Sequence, residues 1–297
     1  MLQKKVNILL RRLLKVKDNE SIEAAIRRKR VKINKTFFKK KITVNDIYST
    51  LINLGINEGD NLMVHASWRD MYNFDGKPED IIDCLTKILG EEGTLLMPAY
   101  GPKRTYFDVE NTPSSAGVLS EVFRLQPNTY RSACTHFSVC ARGKYAYELT
   151  YKHVNSEYGF DTNSPYYLFT NLKHSKVLFI GLGKEPTQIS LFHCAGYILK
   201  EKLPVLNKLL SHKYKSILVK DGNIFGREMI IRKPGHKNNK RVFKKIFRSI
   251  VTKSHVRHSN IDFVVMDAKE GLEKAIDFAR KGQYCYSNIG KLSKHFE

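Results

Sequence analysis

Ser190 and His193 stand three positions apart, so on a helix they share one face. An imidazole beside a hydroxyl or carboxylate can take a proton at neutral pH, because its ordinary pKa lies near about 6.5. Two further segments bring the same kinds of group: His65-Ala66-Ser67, and residues 132–138 with Ser132, His136 and Ser138. The second lies in NTPSSAGVLSEVFRLQPNTYRSACTHFSVCARG, residues 111–143, which joins a Thr-Pro-Ser-Ser turn to a helix with Glu121 and Arg124. A buried hydroxyl or amide without a partner costs about 1–3 kcal/mol, so this density of short polar groups reads as pocket lining rather than packing. The competing reading is a connecting loop with capping residues.

Other chemistries find less support. No Gly-x-Ser-x-Gly elbow marks a serine hydrolase. A Cys-His nucleophile pair, Cys134 or Cys140 with His136 or His193, stays open as an alternative, although free cysteines are common core residues. No histidines show metal-ligand spacing on one element, so no metal is expected. Gly181-x-Gly183 follows an apolar run, but it lacks the third glycine of a dinucleotide fingerprint and the Gly-Lys-Ser/Thr of a P-loop. It reads as a tight strand-to-helix turn.

The elements that must position these groups alternate regularly. Thr43 caps a helix over residues 44–54, closed by Gly55, and an apolar strand follows over residues 61–67. Further helices are expected over residues 79–89, 118–125, 145–149, 166–171 and 269–281, and strands over 93–98, 137–141, 176–181 and 262–266. Helices alternating with apolar strands predict an α/β sheet with covering helices, whose strand ends usually hold the ligand. A hairpin is expected at Asp221-Gly222.

Charge divides the 297 residues unevenly. The net charge is +22, yet residues 1–41 hold 15 Lys/Arg against 3 Asp/Glu, and residues 206–257 hold 15 against 2. The rest, where the pocket candidates lie, is close to neutral. Residues 1–41 therefore read as a basic helical extension preceding a catalytic domain over residues 42–297. Its first helix, residues 2–16, mixes Leu, Val and Ile with Lys and Arg, as suits contact with an anionic membrane or with the chain's own domain. Zinc-finger spacing, RNP-like aromatics and a helix-turn-helix signature are missing, so nucleic acid is not an expected partner. No apolar run reaches eighteen residues and no signal-peptide block is seen. With five scattered cysteines, a reduced cytoplasmic setting is expected, with the membrane's inner face as its alternative location.

Over roughly residues 43–200 the chain resembles the aminoglycoside 3-N-acetyltransferase (antibiotic N-acetyltransferase) family. The resemblance rests on LGINEGD (54–60), VHAS (64–67), GEEGTLLMP (90–98), Phe107-Asp108, Thr112-Pro-Ser114, Gly117, Glu121 with Phe123-Arg124, Arg131-Ser132, Ser138-Val139, Gly143, Ser164-Pro165, and the Gly181 loop with Ser190 and His193. It implies a mixed central sheet covered by helices, and direct transfer of an acetyl group from acetyl-CoA to an amine on an amino sugar. His193 would be the general base, with Ser190 beside it. His65, Ala66, Ser67 and Trp68, with Ser132 and Ser138, would hold the pantetheine arm and thioester. Asp108 or Glu121 would meet a cationic acceptor.

Two departures bear on the substrate. The family's His-Pro after Arg-Ser-x is Cys134-Thr135 here, and its glutamate three residues after the catalytic histidine is Gly196. With the basic surface, they suggest an amino sugar of surface polysaccharide synthesis as acceptor, nucleotide-linked or lipid-linked. The alternatives are a resistance-type aminoglycoside acetyltransferase and a non-catalytic relative. Cys134-Thr135-His136 is the first place to look for a changed substrate.

Overall fold

Apolar runs of four to six residues, bounded by turns, become buried strands here because helices cover them on both sides. The protein is described by a computed structural model that covers residues 2–18, 20–103 and 105–289. Its strands are β1 (Asn61–Ala66), β2 (Thr94–Pro98), β3 (Tyr106–Asp108), β4 (Tyr130–Arg131), β5 (Val139–Gly143), β6 (Ser175–Ile180), β7 (His212–Lys220), β8 (Asn223–Ile231), β9 (Lys253–His258) and β10 (Ile261–Asp267). Its helices are α1 (Leu2–Leu13), α2 (Ile22–Phe37), α3 (Val44–Asn53), α4 (Pro78–Leu89), α5 (Val118–Leu125), α6 (Ala146–Tyr151), α7 (Pro165–Thr170), α8 (Cys194–Ile198), α9 (Pro204–Leu209), α10 (Lys240–Ser249) and α11 (Ala268–Arg280).

Seven strands form one mixed sheet in the order β4-β5-β2-β1-β6-β10-β9. β1 lies at its centre, parallel to β2 and β6, while β5, β10 and the outer strands run antiparallel. The two-residue period of each strand divides the core into two layers. Leu62, Val64, Leu178 and Ile180 face one cluster with α3, α4 and α5, whereas Met63, Val177 and Phe179 face another with α6 to α11. The expected α/β sheet with covering helices is therefore the one observed, and each expected helix and strand of residues 43–200 appears within a few positions.

Residues 206–257 hold more structure than their charge suggests. β7 and β8 form a long hairpin, closed at Asp221 (φ 51°) and Gly222 (φ 73°), and β3 pairs with β7 to complete a second sheet. In α10 the basic residues lie outside, while Val242, Phe243, Ile246 and Phe247 are buried. The helical period was present in the sequence, but the density of Lys and Arg concealed it.

Residues 2–41 form a helical hairpin. Arg28 bonds the Glu20 carboxylate and the Lys15 carbonyl, and Lys29 bonds the Leu13 carbonyl. The hairpin meets the body where Asn73 donates to the Phe38 carbonyl (2.6 Å) and Arg257 stacks on the Phe38 ring. Ile42, fully buried and bridged to Phe74, begins the core.

Gly143 closes β5 with φ 111°, and a Cβ there would collide with the Gly93 carbonyl oxygen across the sheet. Left-handed strain and the clash both oppose a side chain. Gly143→Ala is expected to lower unfolding stability by about 2–3 kcal/mol, read as a lower urea midpoint; an unchanged midpoint would refute this account of the β2–β5 edge.

Candidate active site

The carboxyl ends of the three parallel strands open into one cavity of about 310 Å³. Val64, His65 and Ala66 come from β1, Pro98 and Tyr100 from β2 and its continuation, and Leu182 from the turn after β6. Ala116 and Ser120, around the start of α5, close one wall; Phe137, Phe160, Gln188, Ser190 and His193 close the others. This is where an α/β sheet presents backbone ends and short side chains to a ligand.

Ser190 and His193 do share a face, on a single 3-10 turn (Ser190–His193) that precedes α8. Positions i and i+3 eclipse in that geometry, so the two side chains line the same cavity. His193 sits in an aromatic box: Phe160 at 5.0 Å, Phe243 at 5.5 Å and Tyr286, stacked at 5.3 Å. Its Nδ1 is 3.1 Å from the Tyr286 hydroxyl, which is 3.2 Å from the Tyr158 hydroxyl. Nε2 makes no hydrogen bond among the described residues. Burial, and then the nearby Arg232 cation, push the His193 pKa down to about 3. The ring is therefore neutral at pH 7.

Tyr286 packs closely over Gly196. A Cβ on Gly196 would lie 3.3 Å from the Tyr286 ring and 3.4 Å from its hydroxyl. The aromatic ring fills the place beside the turn that a longer side chain would otherwise claim. Tyr158 and Phe160 are placed by Asp161, which accepts from Ser156 Oγ and from the amides of Glu157, Tyr158 and Asn163.

A second cavity, of about 330 Å³, lies on the other side of the same histidine. Both cavities share Phe137, Phe160, His193 and Asn238. The second is lined further by Tyr158, Tyr286, Ile231 and the loop after β8, with Arg232, Lys233 and His236. A larger space of about 800 Å³ lies between β4, α6 and the β7–β8 hairpin, but it contains neither His193 nor any residue of the other two. Its size does not make it the site, since it holds no candidate base.

The remaining candidates are placed as follows. His65 lines the first cavity, stacked on Phe179 at 5.5 Å; its Nε2 is buried without a protein partner, and burial lowers its pKa to about 4. Ala66 lines it as well. Ser67 bonds Asp70 at 2.5 Å and Trp68 packs edge-on against Phe74, so both anchor the turn after β1. Ser132 is fully buried, bonded to His153 Nδ1 (2.8 Å) and to the Val139 amide, and Ser138 donates to the Ser132 carbonyl. They hold the wall from behind and line neither cavity. Asp108 accepts from the amides of Glu110 and Asn111, while Glu121 accepts from Arg124 and the Ser114 amide. Both carboxylates are committed to the loop at residues 108–117, and neither lines a cavity at His193.

The Cys-His alternative does not survive the geometry. Cys134 and Cys140 are buried outside both cavities, and burial raises their thiols to about 11 and about 12. Thr135 and His136 pack on β7 and β8 through Ser216, Met229 and Tyr214, so this tripeptide does not touch a ligand space at His193. Tyr286, Tyr158 and Arg232 had no signal in the sequence, because they lie far along the chain from His193. Among the described residues no group of three or more His, Cys, Asp or Glu is arranged to hold a metal ion.

Comparisons with known proteins give the family and the fold. The family model described as aminoglycoside 3-N-acetyltransferase matches residues 63–280, and the chain belongs to that family. It is 35% identical over 107 residues to aminoglycoside N(3)-acetyltransferase IV of Salmonella sp, covering 35% of this chain and 41% of that one. It is 30% identical over 172 residues to aminoglycoside N(3)-acetyltransferase III of Pseudomonas aeruginosa, covering 50% and 60%. These matches thus span less than two thirds of either relative. Among solved structures, AAC-IIIb in binary complex with CoASH superposes with a TM-score of 0.68 at 21% identity, over 82% of this chain and 98% of that one. AAC-VIa bound to sisomicin gives 0.68 at 18% identity, over 82% and 99%. The fold is theirs.

Two buried histidines and the part-buried His193 carry a consequence for stability. His65, His153 and His193 have pKa values lowered by burial to about 4, about 3 and about 3, against 6.5 when solvated. Below that value the unfolded chain binds protons that the folded chain refuses, so stability falls as pH falls. Each contributes up to about 1.4 kcal/mol per pH unit. Urea midpoints should drop steeply from pH 7 to pH 4, and the drop should be shallower in His153→Gln; a flat profile would contradict neutral burial.

Proposed function

We propose that this member of the aminoglycoside 3-N-acetyltransferase family moves an acetyl group from acetyl-CoA to an amine on an amino sugar. The observation that carries the reading is His193, which stands in the wall between two cavities, one at the strand ends and one towards the chain's C-terminal third. Direct transfer needs two ligands to meet at one base. The cavity at the strand ends suits a pantetheine arm and thioester, with the orphaned His65 Nε2 and the small Ala66 and Ala116 along it. Relatives named as aminoglycoside N(3)-acetyltransferases, and a similar structure solved with CoASH, support the same reaction class. No relative's name points to surface polysaccharide, and an intact, partnered His193 argues against a non-catalytic relative.

The proton path follows from the hydrogen bonds. If Nδ1–H donates to the Tyr286 oxygen, and Tyr286 donates to Tyr158, Nε2 keeps its lone pair for the acceptor. The amine nitrogen attacks the thioester carbonyl, a C–N bond forms, and the carbon becomes tetrahedral. The attacking nitrogen then becomes strongly acidic, and His193 takes its proton although its resting pKa is low. Collapse breaks the C–S bond, and that proton neutralises the departing CoA thiolate. Tyr286 is a positioning residue here: it fixes the tautomer and keeps the ring turned to the ligands.

His193→Gln should cut acetyl transfer to an amino sugar by about 10²–10⁴-fold, while acetyl-CoA still raises the melting temperature. Full activity in that variant would remove His193 as base. Tyr286→Phe keeps the ring and loses the hydroxyl; kcat should fall about tenfold, with KM for acetyl-CoA unchanged and the acid limb of the pH profile shifted. A change in KM alone, with kcat and profile intact, would reduce Tyr286 to packing.

Residues 1–41 support a second, separate proposal, that they form an extension contacting an anionic membrane. Val6, Ile8, Leu9 and Leu13 are 48–63% exposed, on a helix that also carries Arg11 and Arg12. Apolar area and positive charge together favour the surface of acidic lipid. No helix among the described residues is long and apolar enough to cross a membrane. Phosphatidylglycerol vesicles at low salt should sediment the protein, a variant starting at residue 42 should stay in solution, and equal partitioning of the two would end this proposal.

A further inference from the structure

Resting on the acetyl-transfer reading, we propose that the acceptor is an amino sugar bearing an anionic group, phosphate or carboxylate, which Arg232 and Lys233 hold in the 330 Å³ cavity beside His193. That cavity has three basic residues in its lining, Arg232, Lys233 and His236, and no acidic one. Arg248 and Lys244 pair with Glu185, and Lys200 pairs with Glu157. Arg232 and Lys233 have no carboxylate partner among the described residues.

Arg232 is built in rather than loose. It is half-buried, its Nη1 donates to Asn238 Oδ1 at 2.7 Å, and its guanidinium lies 5.2 Å from the centre of the Tyr286 ring. These contacts aim a planar fork of donors along the wall that Tyr286 and Asn238 share with His193. Such a fork suits two oxygens of a phosphate or carboxylate, and little side-chain entropy remains to be lost. The Lys233 amide donates to the Leu209 carbonyl at 2.9 Å, which fixes the loop after β8, and the lysine adds a second charge.

The same charges oppose a polycation. Two unit charges about 4 Å apart interact by about 4 kcal/mol near a protein surface, so an acceptor with several ammonium groups would lose affinity here. Arg232 also acts on His193, whose pKa it helps to lower. An anionic substituent on the acceptor would offset that field and leave the base more willing to take the proton as the C–N bond forms.

One phosphate could come from either ligand, the acceptor or CoA itself, and the test separates them. CoA thiol release is followed with the full-length protein and acetyl-CoA, using glucosamine, glucosamine 6-phosphate and tobramycin as acceptors. Glucosamine 6-phosphate should show a KM at least tenfold below that of glucosamine, with tobramycin the poorest. Arg232→Ala and Lys233→Ala should erase the preference without changing KM for acetyl-CoA. Equal KM values, preference for tobramycin, or a rise in KM for acetyl-CoA instead would overturn the assignment. Should none of the three be acetylated, thermal shift decides: stabilisation by glucosamine 6-phosphate over glucosamine, lost in Arg232→Ala, sustains the anion site and ends the acetyl-transfer reading, whereas no difference ends both.

Discussion

The contact between His193 Nδ1 and the Tyr286 hydroxyl joins residues 93 positions apart, and the site exists only where that contact is made. Residue 193 is placed by the sheet, through the turn after β6. Residue 286 arrives after α11 and is tied to the segment before α10: Asn239 donates to the Cys285 carbonyl, Ser287 donates to the Lys237 carbonyl, and His236 Nδ1 lies 3.0 Å from the Ser287 carbonyl. This short ladder brings Tyr286 onto His193 and, from the same backbone, sets Asn238 and the loop with Arg232. His193's surroundings and the second cavity are therefore assembled by one set of bonds. Phe243 on α10 completes the box from the other side, so the basic C-terminal third is structural to the site.

Electrostatics inside the protein differ from those on its surface. The chain carries a net charge of +22, yet the first cavity is lined by apolar and neutral polar groups. His65 and His193 are held neutral there by burial. Neutral imidazole retains a lone pair, which is what a base or a hydrogen-bond acceptor needs. The cations concentrate instead on the N-terminal hairpin, the outer face of α10 and the wall of the second cavity. The first two positions are solvated and cost little, whereas Arg232 sits half-buried without a carboxylate. A cation retained in such a place is costly unless a ligand compensates it.

Residues 43–200 were legible because their physics is local. Thr43 caps α3 through its own Asp46, Gly90 ends α4, and the strands are short apolar runs buried on both faces. The shared cavity wall of His65, Ala66, Ser190 and His193 was readable too, from strand-end position and helical spacing. Ser132, Ser138, Asp108 and Glu121 have the right chemistry in the right neighbourhood, but their hydrogen bonds are spent on nearby backbone groups and on the side chains of His153, Asn111 and Arg124. Sequence shows a donor or acceptor without showing whether it is already satisfied. α10 was hidden by charge, since four apolar positions among basic ones do not announce a helix to a count of composition.

Gly196 shows the same limit from the other direction. In the sequence it reads as the loss of the family's acidic residue near His193, and so as a sign of a changed substrate. In the fold the missing side chain makes room for Tyr286, whose hydroxyl bonds the histidine, with Tyr158 behind it. Orientation of the ring is kept, but a negative charge is replaced by a neutral, polarisable group. The same ring carries the Arg232 guanidinium, 5.2 Å from its centre, on the wall of the second cavity. One glycine thus borders the ring that contacts both His193 and Arg232.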